Sequence, residues 1–329
     1  MMDQLIAAFP NQVREAMQIG KKIKLTKPAR AIENIVVSGL GGSGIGANLV
    51  QDQTAAALKV PFIVSKDYEL PAFVGKNTLL IISSYSGNTE ETVSSLKIAI
   101  QRKAHIICVC SGGAIAKLAV KHGLDLVLIP GGMPPRACLG YSAIQQFYIL
   151  RKLKFIGAEF ETALEEAVSL MEKKQAAIQT TAEKIAEKIY NKLPIVYAAS
   201  GSESVAVRFR QQINENGKQL AWHHVIPEMN HNELVGWREK NENLAVIILR
   251  NEHDHARTQL RMDLNKKVIR KYTPNIIEIA SKGETKLARA LYLIHLTDWI
   301  SWFLSQKRKM DCVEVKVIDW LKGELANAK

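Results

Sequence analysis

Short apolar runs punctuate the first half of the chain: Ile35 to Ser38, Pro61 to Val64, Leu79 to Ser83, Ile106 to Cys110 and Leu124 to Ile129. Runs that are apolar at nearly every position, rather than at alternate ones, fit strands covered on both faces. Helix-like stretches separate them, and this alternation predicts an α/β fold with a parallel sheet flanked by helices. From about Tyr141 to Tyr190 the period changes. Leu164, Val168 and Met171 recur at three- and four-residue steps, which predicts long helices and a crossing between domains. The strand pattern then restarts, since Pro194 to Ser202 repeats the logic of Ile35 to Ser43. A helix-like segment carrying Glu215 follows, and Leu244 to Leu249 and Ile276 to Ile279 read as further strands. The chain therefore reads as an internal duplication, with a first domain over residues 1–153 and a second over 154–329.

Two strand ends carry candidate chemistry. After Leu79 to Ile82 comes Ser83-Ser84-Tyr85-Ser86-Gly87-Asn88-Thr89-Glu90-Glu91-Thr92, a hydroxyl-rich turn leading into a helix. A helix N-terminus presents unpaired N–H groups and the positive end of the macrodipole, so a turn lined by Ser84, Ser86 and Thr89 suits an anion such as phosphate. The same residues also fit a capping box, with Ser86 or Asn88 as N-cap and an acidic residue three positions on. After Ile35 to Val37 comes Ser38-Gly39-Leu40-Gly41-Gly42-Ser43-Gly44-Ile45-Gly46. Gly39, Gly41 and Gly44 match the dinucleotide fingerprint, but the acidic residue needed about 20 positions later has only Asp67 as a late candidate. Ligands of open parallel sheets bind beyond the carboxyl ends of the strands, where both loops lie.

Composition narrows the setting. The 329 residues are 47% hydrophobic, yet no uninterrupted apolar run approaches the roughly 20 residues of a membrane span, so a soluble globular protein with no membrane partner is expected. Met1-Met2-Asp3-Gln4-Leu5-Ile6 lacks the basic-then-apolar pattern of a secretory signal. Cys108, Cys110, Cys138 and Cys312 show no zinc-type spacing and read as buried free thiols in a reducing, cytoplasmic compartment. The formal charge of +12 suits an anionic partner. The basic residues are mixed with acids at helical spacing, as in Glu183-Lys184-Ile185-Ala186-Glu187-Lys188, which reads as a solvated helix face rather than a nucleic-acid footprint. His223 with His224, and His253 with His255, offer a zinc-like count of histidines without a ligand set of recognised spacing.

Together GGSGIG and SYSGNTEET resemble the loops of the sugar isomerase (SIS) domain, in which strand-end serines and threonines hold a sugar phosphate. Farther along, Pro135-Arg136, Gln212-Ile213-Asn214-Glu215-Asn216-Gly217-Lys218, Pro227-Glu228-Met229-Asn230-His231-Asn232-Glu233 and Leu321-Lys322 look like the bifunctional phosphoglucose/phosphomannose isomerase family. The resemblance runs over essentially the whole chain. It implies two SIS-type domains and an aldose–ketose isomerase that interconverts glucose 6-phosphate and mannose 6-phosphate with fructose 6-phosphate through a cis-enediolate.

By that resemblance Ser43, Ser84, Ser86 and Thr89 would hold the phosphate beside the Gly41-Gly42 backbone. Glu215 would carry the proton between C1 and C2, a task that suits a carboxylate because one group must take the proton and return it. Arg136 would face the negative charge of the enediolate. His231 would help to open the sugar ring. Lys322 matches the family's C-terminal lysine, although the usual Asp-Pro ahead of it is here Asp311-Cys312, and Lys316 competes for the role. No metal or organic cofactor is implied. The implied partners are a hexose 6-phosphate and a second copy of the chain. In that homodimer the PEMNHNE loop reaches into the neighbouring site, with Val225, Ile226, Met229 and Trp237 as apolar anchors. Two rivals stand beside this reading. A sugar-phosphate sensor would keep the hydroxyl loops without needing Glu215, His231 or Arg136, and an isomerase of amino-sugar or heptose phosphates would share the loops but not the QINEN and PEMNHNE pair.

Overall fold

The computed structural model describes residues 1–327. Helices α1 (Met2–Ala7) and α2 (Phe9–Lys22) precede a strand–helix series: β1 (Asn34–Ser38), α3 (Gly41–Thr54), β2 (Phe62–Ser65), β3 (Thr78–Ser83), α4 (Glu90–Gln101), β4 (His105–Cys110), α5 (Gly113–His122) and β5 (Asp125–Leu128). A 3-10 turn at Pro135–Ala137 leads into α6 (Leu139–Lys152) and α7 (Glu159–Ile189). The second series comprises β6 (Leu193–Ala199), α8 (Glu203–Glu215), β7 (Trp222–Ile226), β8 (Leu244–Arg250), α9 (Ala256–Ile269) and β9 (Ile276–Ala280), and α10 (Lys286–Lys307) and α11 (Lys316–Asn327) follow.

The strands form two parallel sheets, ordered β2-β1-β3-β4-β5 and β7-β6-β8-β9. In the first, the chain leaves β1 toward β2 on one side and leaves β3 toward β4 on the other. The two connections diverge and open a crevice at the carboxyl ends of β1 and β3, the switch point at which such sheets take their ligands. All six residues of β3 are buried, as its unbroken apolar run requires.

One hydrophobic core joins the sheets, drawing on β1, β3, α2, α6, α7, β6, β8 and α10. Helix α6 is buried at twelve consecutive positions, Leu139 to Leu150, so it is wrapped on all sides. Its buried amides are tied by their nitrogens, with Gln145 donating to the Ala16 carbonyl (2.9 Å) and Gln146 to that of Ser142 (3.3 Å), while their side-chain oxygens and the Tyr148 hydroxyl have no partner among the described residues. All four cysteines are free and buried, and burial pushes the Cys138 thiol up to about 11 and the Cys108 thiol up to about 12. None of the described helices is long and apolar enough to cross a membrane.

His295 on α10 is fully buried, with Nε2 2.8 Å from Gln175 Oε1 and its ring stacked on Phe9. Burial pushes its pKa down from 6.5 to about 4. Between those values the unfolded chain binds a proton that the folded chain does not, so stability rises with pH across the window. The contribution is complete above pH 6.5 and is lost as pH falls toward 4, on the order of 3 kcal/mol from this one group. His295→Gln should flatten that slope, and urea denaturation at pH 7 and pH 4.5 measures it. An unchanged slope would remove His295 from the acid sensitivity.

Candidate active site

The crevice at β1 and β3 is where the two glycine- and hydroxyl-rich loops meet. Gly39 lies so close to the β3 end that an added Cβ would stand 2.7 Å from the Ser83 carbonyl oxygen. Gly41 adopts φ +49°, which favours glycine, and a Cβ there would meet nothing within 4 Å. The Ser43 hydroxyl oxygen accepts from the Tyr85 N–H (3.2 Å), tying one loop to the other. Ser84 and Thr89 share a hydroxyl–hydroxyl bond (2.9 Å), and Ser86 Oγ accepts from the Asn88 N–H (3.2 Å). Thr89 holds the N-cap position of α4, and Leu40 that of α3, and neither side chain caps its helix. The capping box is therefore not what these residues build. Their hydroxyls bond across the loop, while the first-turn N–H groups of α3 and α4 receive no bond from the N-cap side chains. Asp67, the late acidic candidate, accepts from the adjacent Tyr68 N–H (2.7 Å), a local turn bond.

Arg136 adjoins this cradle. A Cβ on Gly42 would stand 2.9 Å from the Pro135 carbonyl oxygen and 3.8 Å from Arg136 Cα, so only glycine lets the first turn of α3 sit on the Arg136 turn. The arginine is 5% exposed. Its Nε donates to Asn216 Oδ1 (2.7 Å), its Nη1 to Glu215 Oε2 (3.4 Å), and its Nη2 to the carbonyls of Cys312 and Val313. Glu215 is the last residue of α8, and its side chain is 32% exposed, so the carboxylate touches the guanidinium and still faces outward. Lys218 donates to the Glu215 carbonyl (2.7 Å) and also to that of Glu314. The carboxyl edge of the first sheet thus meets the amino edge of the second, where α8 ends just before β7 begins. A fixed cation beside a reachable carboxylate, against a hydroxyl-lined anion cradle, can stabilise developing negative charge and move a proton in the same cleft.

His231 and Lys322 do not join this group within one chain. His231 lies on the 3-10 turn Glu228–His231 beyond β7, exposed, at the carboxyl edge of the second sheet. Lys322 lies on α11, which has no buried residue. Lys316, at the start of α11, follows closely on the Glu314 carbonyl held by Lys218. The loop anchors also serve differently from the expectation. Val225 and Ile226 belong to β7, while Ile226, Met229 and Trp237 are buried in a cluster with Ile195, Tyr197 and Val246 of their own chain. The remaining histidines have local roles. Burial, with Arg210 next, pushes His223 down to about 4, His224 Nδ1 accepts from the Val225 N–H, and His255 Nδ1 caps α9 by accepting from Arg257. Among the described residues no three His, Cys, Asp or Glu side chains converge as metal ligands would.

Sequence reasoning passed over Asn216, Arg208 and Asp298, all buried beside Arg136. A signal was present. Arg208, Gln212 and Asn216 recur at four-residue spacing alongside the apolar stripe Val205, Phe209, Ile213, and Asp298 interrupts the apolar face of α10.

Residues 30–128 match the SIS domain family, and residues 178–325 match the bacterial phospho-glucose isomerase C-terminal SIS domain. The fold is shared with the C-terminal domain of glucosamine-fructose-6-phosphate aminotransferase from Francisella tularensis (TM-score 0.76, 14% identity, covering 95% of this chain and 98% of that one). The bifunctional phosphoglucose/phosphomannose isomerase of Aquifex aeolicus is 35% identical, covering 92% of this chain and 93% of the relative. That of Caldicellulosiruptor bescii is 39% identical over the full length of both. The chain therefore belongs to the bifunctional phosphoglucose/phosphomannose isomerase family.

Proposed function

We propose that this protein interconverts glucose 6-phosphate and mannose 6-phosphate with fructose 6-phosphate through a cis-enediolate. The observation that carries this reading is the contact of Arg136 with Glu215 at 3.4 Å beside the hydroxyl cradle. Ser43, Ser84, Ser86 and Thr89, with the N–H groups at the starts of α3 and α4, hold the phosphate near the Gly41-Gly42 turn. Glu215 removes the proton from C2 of the open-chain aldose and returns it to C1, and Arg136 faces the negative oxygens of the intermediate. His231 and Lys322 are assigned to ring opening, with a proton leaving O1 and one arriving at the ring oxygen. Residues 1–153 thus supply the cradle and the arginine, and residues 154–329 the proton-transfer groups. The buried free thiols suit a reducing, cytoplasmic setting. The test is an assay of purified protein with each hexose 6-phosphate, with fructose 6-phosphate formation followed enzymatically. Absence of turnover with both aldoses would overturn the reading.

Phosphate recognition has its own signature. Thr89→Val and Ser86→Ala should raise KM for the phosphorylated sugars, with a stability loss of no more than about 1 kcal/mol. Stability loss with KM unchanged would return these hydroxyls to a structural role.

The working unit is a homodimer whose sites are shared. Glu215 precedes β7 and His231 follows it, so the five residues of that strand, about 16 Å, separate them along the sheet. Helix α11 supports the dimer as well, since Val317, Trp320, Leu321 and Leu325 leave an apolar stripe exposed on a single chain. Glu215→Gln and His231→Ala subunits, each nearly inactive alone, should on exchange form hybrids with one intact site. Random mixing makes half the dimers hybrid, so activity should recover to roughly a quarter of wild type. No recovery after exchange confirmed by mass would place each site within one chain.

A further inference from the structure

Besides the Cys312 and Val313 carbonyls that accept from Nη2, two further grips hold Arg136, and both end on one buried carboxylate residue. At the side chain, Asn216 Oδ1 accepts from Arg136 Nε (2.7 Å), Asn216 Nδ2 donates to Ser301 Oγ (3.0 Å), and the Ser301 hydroxyl donates to the Asp298 carbonyl (2.6 Å). At the backbone, the Arg136 carbonyl accepts from Arg208 Nη2 (3.0 Å), which also donates to Asp298 Oδ2 (2.6 Å). Gln212 occupies the other carboxylate oxygen of Asp298 (3.0 Å). Asn216 and Ser301 are 0% exposed, Arg208 2% and Asp298 5%.

A buried ion pair of this kind is a poor device for stability alone, because desolvating both charges offsets most of their attraction. Arg208 even leaves its Nε buried without a hydrogen-bond partner. What the arrangement does achieve is to fix the Arg136 turn and the plane of its guanidinium together, leaving Nη1 directed at Glu215. We propose that Asn216 and Arg208 are positioning residues that hold the Arg136 guanidinium at the place where negative charge develops. The proposal rests on the reading that Arg136 faces an enediolate. Neither residue touches the substrate, and each acts through Arg136.

The experiment is a double-mutant cycle against Arg136→Lys, read as kcat and KM on fructose 6-phosphate. Asn216→Ala should lower kcat by roughly 10- to 100-fold, with KM changed by less than about threefold, because misplacement of a catalytic group by about 1 Å costs that much. In the Arg136→Lys background the same substitution should cost less than about threefold, since the group it positions is already gone. A merely structural role would lower activity by the same factor in both backgrounds, and that result would overturn the proposal. Arg208→Lys, which keeps a charge opposite Asp298 but not the fork, gives a second cycle should Asn216→Ala fold poorly. Affinity for a phosphorylated aldonate, whose carboxylate imitates the enediolate charge, is measured on the same proteins. If wild type turns over no hexose phosphate, the functional reading fails, and the aldonate cycle still decides whether Asn216 and Arg208 act through Arg136.

Discussion

Glu215→Gln should lower turnover of fructose 6-phosphate by at least roughly 100-fold, and by up to about 10,000-fold, the range over which a positioned acid–base group accelerates proton transfer. The amide has the shape of the carboxylate and keeps an oxygen for Arg136 Nη1, so the cleft should retain its geometry. It cannot take the C1 proton of fructose 6-phosphate, nor the C2 proton of the aldose in the reverse direction. Because the Glu215 side chain is 32% exposed and its one ion-pair partner retains bonds to Asn216, Cys312 and Val313, thermal stability should barely move. KM should also hold, since the phosphate cradle lies on the other sheet. Exchange of substrate hydrogen with deuterated solvent gives a second readout, and the variant should lose it together with turnover. Retention of most of the wild-type kcat would remove Glu215 from the role of base.

Arg136→Met should show the next largest loss, with kcat down by roughly 100- to 1,000-fold, as when a fixed group facing transition-state charge is removed. Here stability should fall too. Asn216 Oδ1 and the carbonyls of Cys312 and Val313 lose their donor in a buried setting, at about 1–3 kcal/mol for each group left unpaired. The chain between α10 and α11 should loosen, because two of its carbonyls are held by this one guanidinium. Amide hydrogen exchange over residues 311–315 measures that directly, while kcat at saturating substrate measures the catalytic part on folded protein. Faster exchange with undiminished kcat would make Arg136 a clamp on the C-terminal segment and nothing more.

Residues whose role follows from their own neighbourhood were legible in the sequence. Leu79 to Ser83 announced a doubly covered strand because every position is buried, and the serines and glycines after it could be placed at a strand end from local order alone. Strand β7 was less legible. It lies at a sheet edge, and its two histidines interrupt the apolar pattern, so Val225 and Ile226 read as parts of a loop. Met229 and Trp237 looked like interface anchors because nothing local shows that they fold back over Ile195 and Val246. The meeting of Arg136 with Asn216, 80 residues away, belongs to tertiary packing, and family resemblance alone linked Arg136 to Glu215. Lys322 rests on resemblance still, as α11 makes no buried contact that would fix it.

The shared core running through α2, α6, α7 and α10 makes the two halves inseparable. A lone first half would present the faces of α2 and α6 that α7 and α10 now cover, and a lone second half would present the matching surfaces. Each fragment would carry a sticky apolar face in place of a finished exterior, and would be prone to aggregate or to seek its complement. With the helices of both halves interdigitated in one core, deletion of either half should cost the other its fold, so the two halves act as a single cooperative unit.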